Sequence, residues 1–442
     1  MLKKCVSLVL AMLLLVSTLA GCGKTDATIT DSTGQVKSTN KDKQVTITFW
    51  FPGQDKAHDD YFTNAVKEFE AANTDIKIET TILPTANKDV DMKLTAADLS
   101  GMYPDVFMAY LLFMGTRSPR GDFLDLTQYV DNWADKGDIE ESTYDVGRYK
   151  GKLFGLAFLP SPNVFVYRKD FFKEAGLDPE KPPKTWDELF EYAKKLTVRD
   201  SNNNVKRAGL DLPALNVETF IKPLMRQGGS VIVDEVKGIP SFSDQGSIDA
   251  FNFVLKLKEA NISIPFDLSK KEDIPFAKGN SAMSFLNISQ IKTLMAKPEN
   301  KDKIGLGPVL ENKNTVDFCG NRLFTIGAKS KYPDQSWKFI EFLMSKEQML
   351  KRNQDMGAPI VRKSLTEEFM KNDPVFGETI LEYIKYGKGS ENFQYTSLVT
   401  KYLENAYQEV YNKKKNSEQA LKDAEANLNR ELSNISSEGQ KK

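Results

Sequence analysis

The sequence predicts an α/β fold, because strand and helix patterns alternate along its first part. Residues 44–50 alternate apolar and polar side chains, as a half-buried strand does. Residues 59–70 then carry apolar side chains at helical spacing, and the apolar run 104–110 is typical of a buried parallel strand. Such alternation places helices on both faces of a sheet. A chain of 442 residues is long enough for two or three domains.

The N-terminal residues resemble the signal of a bacterial lipoprotein. Two lysines precede an apolar run, residues 5–19, that is too short to span a membrane comfortably. The sequence Leu-Ala-Gly-Cys ends at Cys22 and resembles a lipobox, where the signal is cut and the cysteine is acylated. We expect residues 1–21 to be a signal peptide and the polar residues 22–43 to form a flexible linker behind lipidated Cys22. The alternative is an ordinary exported protein with an incidental cysteine.

The composition argues against several function classes. Basic and acidic residues nearly cancel, 60 against 61, which gives no electrostatic footprint for nucleic acid. The single histidine, His58, is predicted to be exposed at a helix start, and no HExxH, CxxC, P-loop or strand-borne GxSxG motif is present. We therefore expect no metal, no cofactor and no catalytic histidine. A pair of glycosidase carboxylates stays open, because such residues come from distant segments.

Two helix starts in the second half are marked by polar residues. Thr185 and Glu188 fit a capping box, in which each side chain bonds the backbone amide of the other residue. Trp186, inside that helix, is predicted to pack in the core. Residues 396–432 predict two helices, and Ser417 is expected to cap the second.

From about Lys43 to Leu432, the order of the segments resembles the extracellular solute-binding proteins of ABC importers, in the carbohydrate-binding family that includes maltose-binding protein. Each segment alone is weak, and the shared order and spacing carry the resemblance. The segments are VTITFW, YPDVFMAY, KLFGLAFLPSPNVFVYRKDFFKEAGL, PPKTWDEL, FAKGNSAMSF, GLGPVL, CGNRLFTIGAKSK, PDQSWKFIEFLMSKEQ and MGAPIVRKS.

The resemblance implies a two-lobed periplasmic-binding-protein-like fold of type II, with each lobe a sheet flanked by helices and a hinge of several strands between them. Lobe 1 is expected to comprise residues 44–157 and 323–356. Lobe 2 is expected to comprise residues 158–322 and 357–436, followed by a disordered tail, 437–442. The crossings between the lobes are expected near residues 158–163, 318–323 and 357–361.

The resemblance also implies a function. The expected protein is a lipid-anchored monomer on the extracellular face of the cell membrane that captures a carbohydrate and delivers it to the permease subunits of an ABC importer. It is expected to be neither an enzyme nor a nucleic-acid binder. Three alternatives stay open: the same fold binding a glycerol phosphodiester or a polyamine, a lipoprotein glycoside hydrolase, and a protein that mainly signals nutrient status to a sensor partner.

Ligand-binding residues are expected at the C-terminal ends of strands and in the loops that follow. A sugar needs an aromatic platform and side chains that fork hydrogen bonds, so Trp50 is the expected platform. The strand-end rule gives Trp50, Phe51, Gln54, Ala109 and Tyr110. The resemblance adds Tyr167, Gln227, Asn287, Ser289, Gly320, Asn321, Arg322 and Arg362.

Two departures from the family bear on the ligand. Relatives often carry an aromatic residue near Ser289 and at the second crossing, where this chain has Gly320-Asn321-Arg322. Trp133 and Trp337 are predicted to pack between helices, so few aromatic side chains are left for the cleft. The hypothesis is a small or hydrogen-bonded sugar, and an anionic sugar fits as well.

Overall fold

The computed structural model describes residues 44–439 apart from 214–215, 236, 267–273, 373 and 375. The predicted signal 1–21, linker 22–43 and lipidated Cys22 lie outside the described residues, as does the end of the predicted tail. No helix in the described part of the chain is long and apolar enough to cross a bilayer.

Strands and helices alternate at the start of the fold, as the sequence predicts. The first elements are β1 (Val45–Pro52), α1 (Lys56–Ala72), β2 (Ile76–Leu83), α2 (Asn87–Leu99) and β3 (Val106–Tyr110). Short elements follow: α3 (Leu112–Arg117), α4 (Thr127–Asp131), α5 (Glu141–Asp145), β4 (Arg148–Tyr149) and β5 (Lys152–Leu153).

A long strand leads into the middle of the chain. The elements there are β6 (Leu156–Arg168), α6 (Lys169–Glu174), α7 (Trp186–Leu196), β7 (Val198–Arg199), β8 (Val205–Arg207), β9 (Leu210–Pro213), α8 (Lys222–Gln227), β10 (Ile232–Asp234), β11 (Ile239–Ser241), α9 (Gln245–Glu259), β12 (Ser263–Phe266), β13 (Met283–Asn287), α10 (Ile288–Met295) and β14 (Ile304–Leu306). A second long strand, β15 (Asp317–Ile326), ends this part.

The remainder of the chain is mostly helical. Its elements are α11 (Pro333–Leu343), α12 (Lys346–Met356), α13 (Thr366–Asn372), α14 (Gly377–Lys385), β16 (Gly387–Lys388), α15 (Thr396–Tyr411) and α16 (Ser417–Gly439).

The main sheet has the order β13-β6-β15-β3-β1-β2, with β14 on β6 and β16 on β15. Strand β1 pairs in parallel with both β2 and β3. Strands β6 and β15 run antiparallel and belong to both halves of the sheet, because β6 also pairs with β13 and β15 also pairs with β3. These two strands join the lobes of the two-lobed fold. The residues at which the lobes divide stay a prediction.

Aromatic side chains build the core beneath the sheet. Helix α1 buries one face at helical spacing, including Phe62 and Phe69. The ring of Phe62 lies against Phe158 and Phe324 of the two joining strands, and those two rings stack with their centroids 3.8 Å apart. Apolar packing therefore anchors the joining strands in the core. Other residues of the same two strands remain accessible and can line a site.

Local signals are confirmed in part. The capping box of Thr185 and Glu188 is present at the start of α7. Ser417 does not cap α16: the Oδ1 of Asn416 accepts from the amide of Gln419 at 2.8 Å, and the hydroxyl of Ser417 donates to Asn252. Helix α16 continues to Gly439, so the first residues of the predicted tail are helical.

Candidate functional site

A cleft opens beside the joining strands, between the start of α1 and the start of α10. It contains two adjoining cavities of about 470 and 770 Å³, in the size range of sites for small molecules. The residues lining both cavities are Gln54, Asp55, Ser161, Ser289, Thr293 and Arg322.

Several of the residues predicted from sequence come together here, although they lie far apart in the chain. Gln54 and Tyr110 follow β1 and end β3, and Asn287 and Ser289 stand at the β13–α10 junction. The predicted residues that line one or both cavities are Gln54, Tyr110, Asn287, Ser289, Gly320, Asn321 and Arg322.

Three predicted strand-end residues lie elsewhere. Phe51 and Ala109 are fully buried in the core, and Trp50 is half-buried against the cluster around Phe107. The reason is that β1 and β3 are inner strands of the main sheet, so side chains near their ends pack into the apolar clusters on its faces. Of the predicted aromatic residues, Tyr110 lines the cleft, whereas Trp50 does not.

Three polar predictions are also corrected, because their side chains are buried and bonded within the protein. The Tyr167 hydroxyl donates to a backbone carbonyl at 2.8 Å. The Gln227 side chain accepts from the indole of Trp186 at 2.6 Å and donates to a carbonyl at 2.7 Å. The Arg362 guanidinium donates to Asp135 and Asp138. These side chains hold the fold and do not line the cleft.

Arg322 lines both cavities, and neutral groups hold its guanidinium. Its Nη1 donates to the carbonyl of Pro52 at 3.3 Å and lies 3.0 Å from Nε2 of His58. Its Nη2 donates to Oε1 of Gln54 at 2.9 Å, and the guanidinium carbon lies 5.2 Å from the ring centroid of Tyr110. Burial lowers the pKa of Arg322, but an arginine stays charged in a protein.

His58 is buried, contrary to the prediction of an exposed residue. Its Nδ1 lies 2.8 Å from Oδ1 of Asp59, and its Nε2 faces Arg322. A carboxylate accepts and a guanidinium only donates, so the imidazole donates through Nδ1 and accepts through Nε2. Burial lowers the pKa of His58 although Asp59 acts to raise it. The imidazole is therefore neutral near pH 7 and serves as the acceptor for Arg322.

An irregularity in the joining strands lies directly beside Arg322. Arg322 pairs with Leu159 and Leu323 pairs with Ala157, so β6 carries one extra residue, Phe158, at this point. Such a bulge bends a strand and changes the direction of its side chains. It lets Phe158 stack in the core while Leu159 lines the cleft.

Sequence reasoning missed part of the lining. Leu159–Ser161 and Asp355–Pro359 fall in or next to the predicted crossings 158–163 and 357–361, so the crossings themselves are the sequence signal for these residues. The face of α10 had only one signal, the capping box of Asn287 and Gln290 that starts a helix at the cleft. The missed residues on that side include Ile288, Lys292, Thr293 and Lys297.

Both cationic and anionic side chains line the two cavities. Among the described lining residues, the cationic side chains are Arg322, Lys278, Lys292 and Lys297, and the carboxylates are Asp55 and Asp355. Asp55 caps α1 by accepting from the amide of His58 at 3.0 Å. Within the described residues no group of three or more His, Cys, Asp and Glu side chains could hold a metal ion. The described lining can thus hydrogen-bond a polar solute and contains both cationic and anionic groups.

Comparison with known proteins places the chain among binding proteins. The family of bacterial extracellular solute-binding proteins matches residues 55–350, well over half of the chain. The probable amino-acid ABC transporter periplasmic-binding protein y4oP of Sinorhizobium fredii is 27% identical over 236 residues, which is 52% of this chain and only 52% of that protein. The multiple sugar-binding protein of Streptococcus mutans is 24% identical over 374 residues, covering 81% of this chain and 82% of that one.

A solved structure supports the fold. The sugar-binding protein MalE of Xanthomonas citri superposes with a TM-score of 0.78 at 18% identity, covering 90% of this chain and 100% of that one. The predicted resemblance is confirmed, as is the two-lobed α/β fold. With the family match over residues 55–350, these findings show that the chain belongs to the bacterial extracellular solute-binding proteins.

Proposed function

We propose that this protein is the receptor of an ABC importer and captures a sugar or short oligosaccharide in the cleft. The observation that carries the proposal is the position of the cleft, which is lined by the joining strands and by helices at both ends of the main sheet. A solute that touches both lobes binds the closed state better than the open one and so drives closure. The closed form would then be read by the permease subunits.

A sugar fits the chemistry of the lining. Tyr110 offers one aromatic face to the C–H side of a ring, while Gln54, Ser161, Ser289 and Thr293 offer hydrogen-bonding groups. The Streptococcus mutans and Xanthomonas citri relatives are both named as sugar-binding proteins, which supports a sugar as the solute. The name of y4oP specifies an amino acid, so amino acids belong in the test.

The remaining parts of the proposal concern anchoring and chemistry. Cys22 carries a lipid and holds a monomer at the extracellular face of the membrane, with lobes divided as the sequence predicts. The protein does not transform its solute. Asp55 is used as a helix cap, and Asp355 is exposed at the cleft rim, which does not favour the paired acid and base of a glycosidase.

The test is a thermal-shift screen of the purified full chain with sugars, amino acids, glycerol phosphodiesters and polyamines. A solute that binds only the folded state at a hundred times its Kd adds about 2.7 kcal/mol, which is easily measured. Each solute is recovered afterwards and analysed. We expect an intact sugar to raise Tm. A cleaved sugar would replace this proposal by the hydrolase, and stabilisation by a non-sugar alone would contradict the solute class.

A further inference from the structure

The buried arginines of this protein are, with one exception, neutralised by carboxylates. Among the described residues, Arg117, Arg168, Arg226 and Arg362 each contact an Asp or Glu side chain within 4.0 Å. Arg352 is the exception and donates to backbone carbonyls in the core, away from both cavities. The fold therefore supplies a counter-charge to almost every guanidinium that it removes from water.

Arg322 is half-buried and, like half-buried Arg199, has no described carboxylate partner, but Arg322 lies in the cleft, where a solute could supply the counter-charge. No carboxylate of the described residues lies within 4.0 Å of its guanidinium, and Asp55 and Asp59 act on it only from further away. Its described acceptors are a carbonyl, an amide oxygen, an imidazole nitrogen and a thioether. A partly desolvated cation is costly unless it is paired, so an unpaired one in a binding cleft calls for an anionic partner.

The same contacts fix the guanidinium in one orientation. Nη1 is held by Pro52 and His58, and Nη2 is held on one side by Gln54. No hydrogen bond from Nε to another described residue is present, although Arg322 lines both cavities. The planar group can therefore offer its remaining donors to the cleft without first losing side-chain freedom.

Other positive charge lies in the same lining. Lys297 lines the second cavity, and its side chain makes no ion pair with a described residue. Lys292 lines the first cavity from the α10 side. Together with Arg322, these side chains place three cationic groups in the described lining.

We propose that the solute is an acidic sugar, and that Arg322 binds its carboxylate or phosphate group. This inference rests on the proposed sugar-binding function and adds the chemical class of the sugar. Because carboxylate and phosphate share the geometry that a guanidinium recognises, the experiment must separate them.

The test measures Kd calorimetrically on the full chain with matched pairs of sugars that differ only in the acidic group. The carboxylate arm is galactobiose against digalacturonate, and the phosphate arm is maltose against maltose 6′-phosphate. We expect the acid of one arm to bind at least about tenfold more tightly than its neutral partner. That preference should shrink as salt is raised, because the attraction is electrostatic.

Arg322→Gln should abolish the preference, and Arg322→Lys should retain part of it as a point charge. Arg199→Gln is the matched control, because Arg199 is also half-buried, donates only to carbonyls and lies outside both cavities. The salt series on the unmodified chain tests the proposal even if a variant fails to fold.

Equal binding of neutral and acidic partners, or a preference that survives in Arg322→Gln, would overturn the inference and leave sugar binding intact. Binding of the neutral sugars alone would also overturn the inference and leave sugar binding intact. If no sugar of either kind bound, the proposed function would fall together with the inference.

Discussion

Nη1 of Arg322 lies 3.0 Å from Nε2 of His58, although the two residues are 264 positions apart in the chain. The contact joins the second crossing strand to the first turn of α1. It makes the single histidine of the protein a positioning residue for Arg322. The hydrogen bonds from Arg322 to His58 and from His58 to Asp59 thus hold the guanidinium in a fixed position relative to the start of α1.

Replacing His58 should affect the solute through Arg322. We expect His58→Leu to weaken binding about tenfold and to cost roughly 1–3 kcal/mol of unfolding free energy, because a charged donor loses its buried acceptor. His58→Gln keeps an acceptor oxygen and should lose less in both measurements. Calorimetric binding and urea unfolding give the two values. Equal losses for both variants would show that the imidazole acts only by filling space.

The same histidine predicts a pH dependence. Burial lowers the pKa of His58 below the value of about 6.5 that it has in the unfolded chain. Between the two values the unfolded chain binds more protons, so this contribution to stability is complete above pH 6.5 and is lost as the pH falls through the folded pKa. Protonation also puts a cation against Arg322. We expect Kd to rise between pH 7 and pH 5, and the slope to disappear in His58→Gln.

Asp317, at the start of β15, predicts a pH dependence of stability with the opposite sign. It is buried, its Oδ2 has no described partner, and burial raises its pKa to about 7. The folded chain therefore binds more protons than the unfolded chain from about pH 4 to 7, and this contribution to stability is lost as the pH rises through that window.

Asp317→Asn removes that charge while keeping an acceptor for the amide of Phe318. We expect the variant to be about 2–4 kcal/mol more stable than the unmodified chain at pH 8, since each unit of pKa difference is worth about 1.4 kcal/mol. The difference should shrink strongly at pH 5. Urea unfolding at both pH values measures it, with exposed Asp75→Asn as the control. A difference that does not change with pH would contradict the assigned titration.

Glu391 holds a buried charge cluster together in the predicted second lobe. Its carboxylate contacts Lys222 at 2.7 Å and Arg226 at 2.5 Å, and all three side chains are buried. Burial acts to raise the pKa of Glu391, but the two cations outweigh it and hold the pKa at about 2. The contribution of the cluster to stability is therefore present above about pH 4.5 and is lost only as the pH falls towards 2.

Glu391→Gln should cost about 3–5 kcal/mol, because it leaves two buried cations with too little negative charge. Glu259→Gln is the matched control, since its partner Lys413 is exposed and such pairs contribute at most about 1 kcal/mol. Urea unfolding at pH 7 compares the two. Similar losses in both variants would mean that water reaches the cluster.

The alternation of β1, α1, β2, α2 and β3 could be predicted from sequence because each element has its own period and punctuation. The capping box of Thr185 was equally local. The cap of α16 was not predictable in the same way: Asn416 and Ser417 are both good caps, and the contact of Ser417 with Asn252 in α9 decides between them. Tertiary contacts of this kind leave no mark on the neighbouring sequence.

The candidate site is likewise predictable from sequence only where a local pattern marks the residue. Gln54 and Tyr110 are predictable because they follow or end strands, whereas Trp50 and Phe51 satisfy the same rule but pack against the two apolar clusters. Arg322 was found through the predicted crossing. The sequence predicts an exposed His58, whereas the donor that covers its Nε2, Arg322, lies 264 positions further along the chain. The direction of each strand-end side chain depends on neighbours that sequence order does not give.

Tyr110 is the one aromatic side chain of the described cavity lining, and it supplies the last prediction. Its ring packs edge-on against Phe113 with centroids 5.9 Å apart, and its hydroxyl donates to the carbonyl of Thr85 at 2.8 Å. The hydroxyl is thus engaged with the protein and the Arg322 guanidinium lies over the ring, so a sugar would contact the part of the ring that lines the cavity. We expect Tyr110→Ala to weaken sugar binding about tenfold, since an aromatic contact is worth about 1 kcal/mol beyond its buried area.

Tyr110→Phe retains the ring and should weaken binding by no more than about threefold, a loss that reflects the hydrogen bond to Thr85 and not the sugar contact. Tyr332→Ala, at an exposed tyrosine outside the cavities, is the control and should leave Kd unchanged. Calorimetric titration with the sugar found in the screen measures all three variants. If Tyr110→Phe weakened binding as much as Tyr110→Ala, the binding group would be the hydroxyl and not the ring, because the two variants share only the loss of that oxygen. A normal Kd in Tyr110→Ala would instead place the sugar deeper, against Ser289 and Thr293 of α10, where hydrogen bonds alone would hold it.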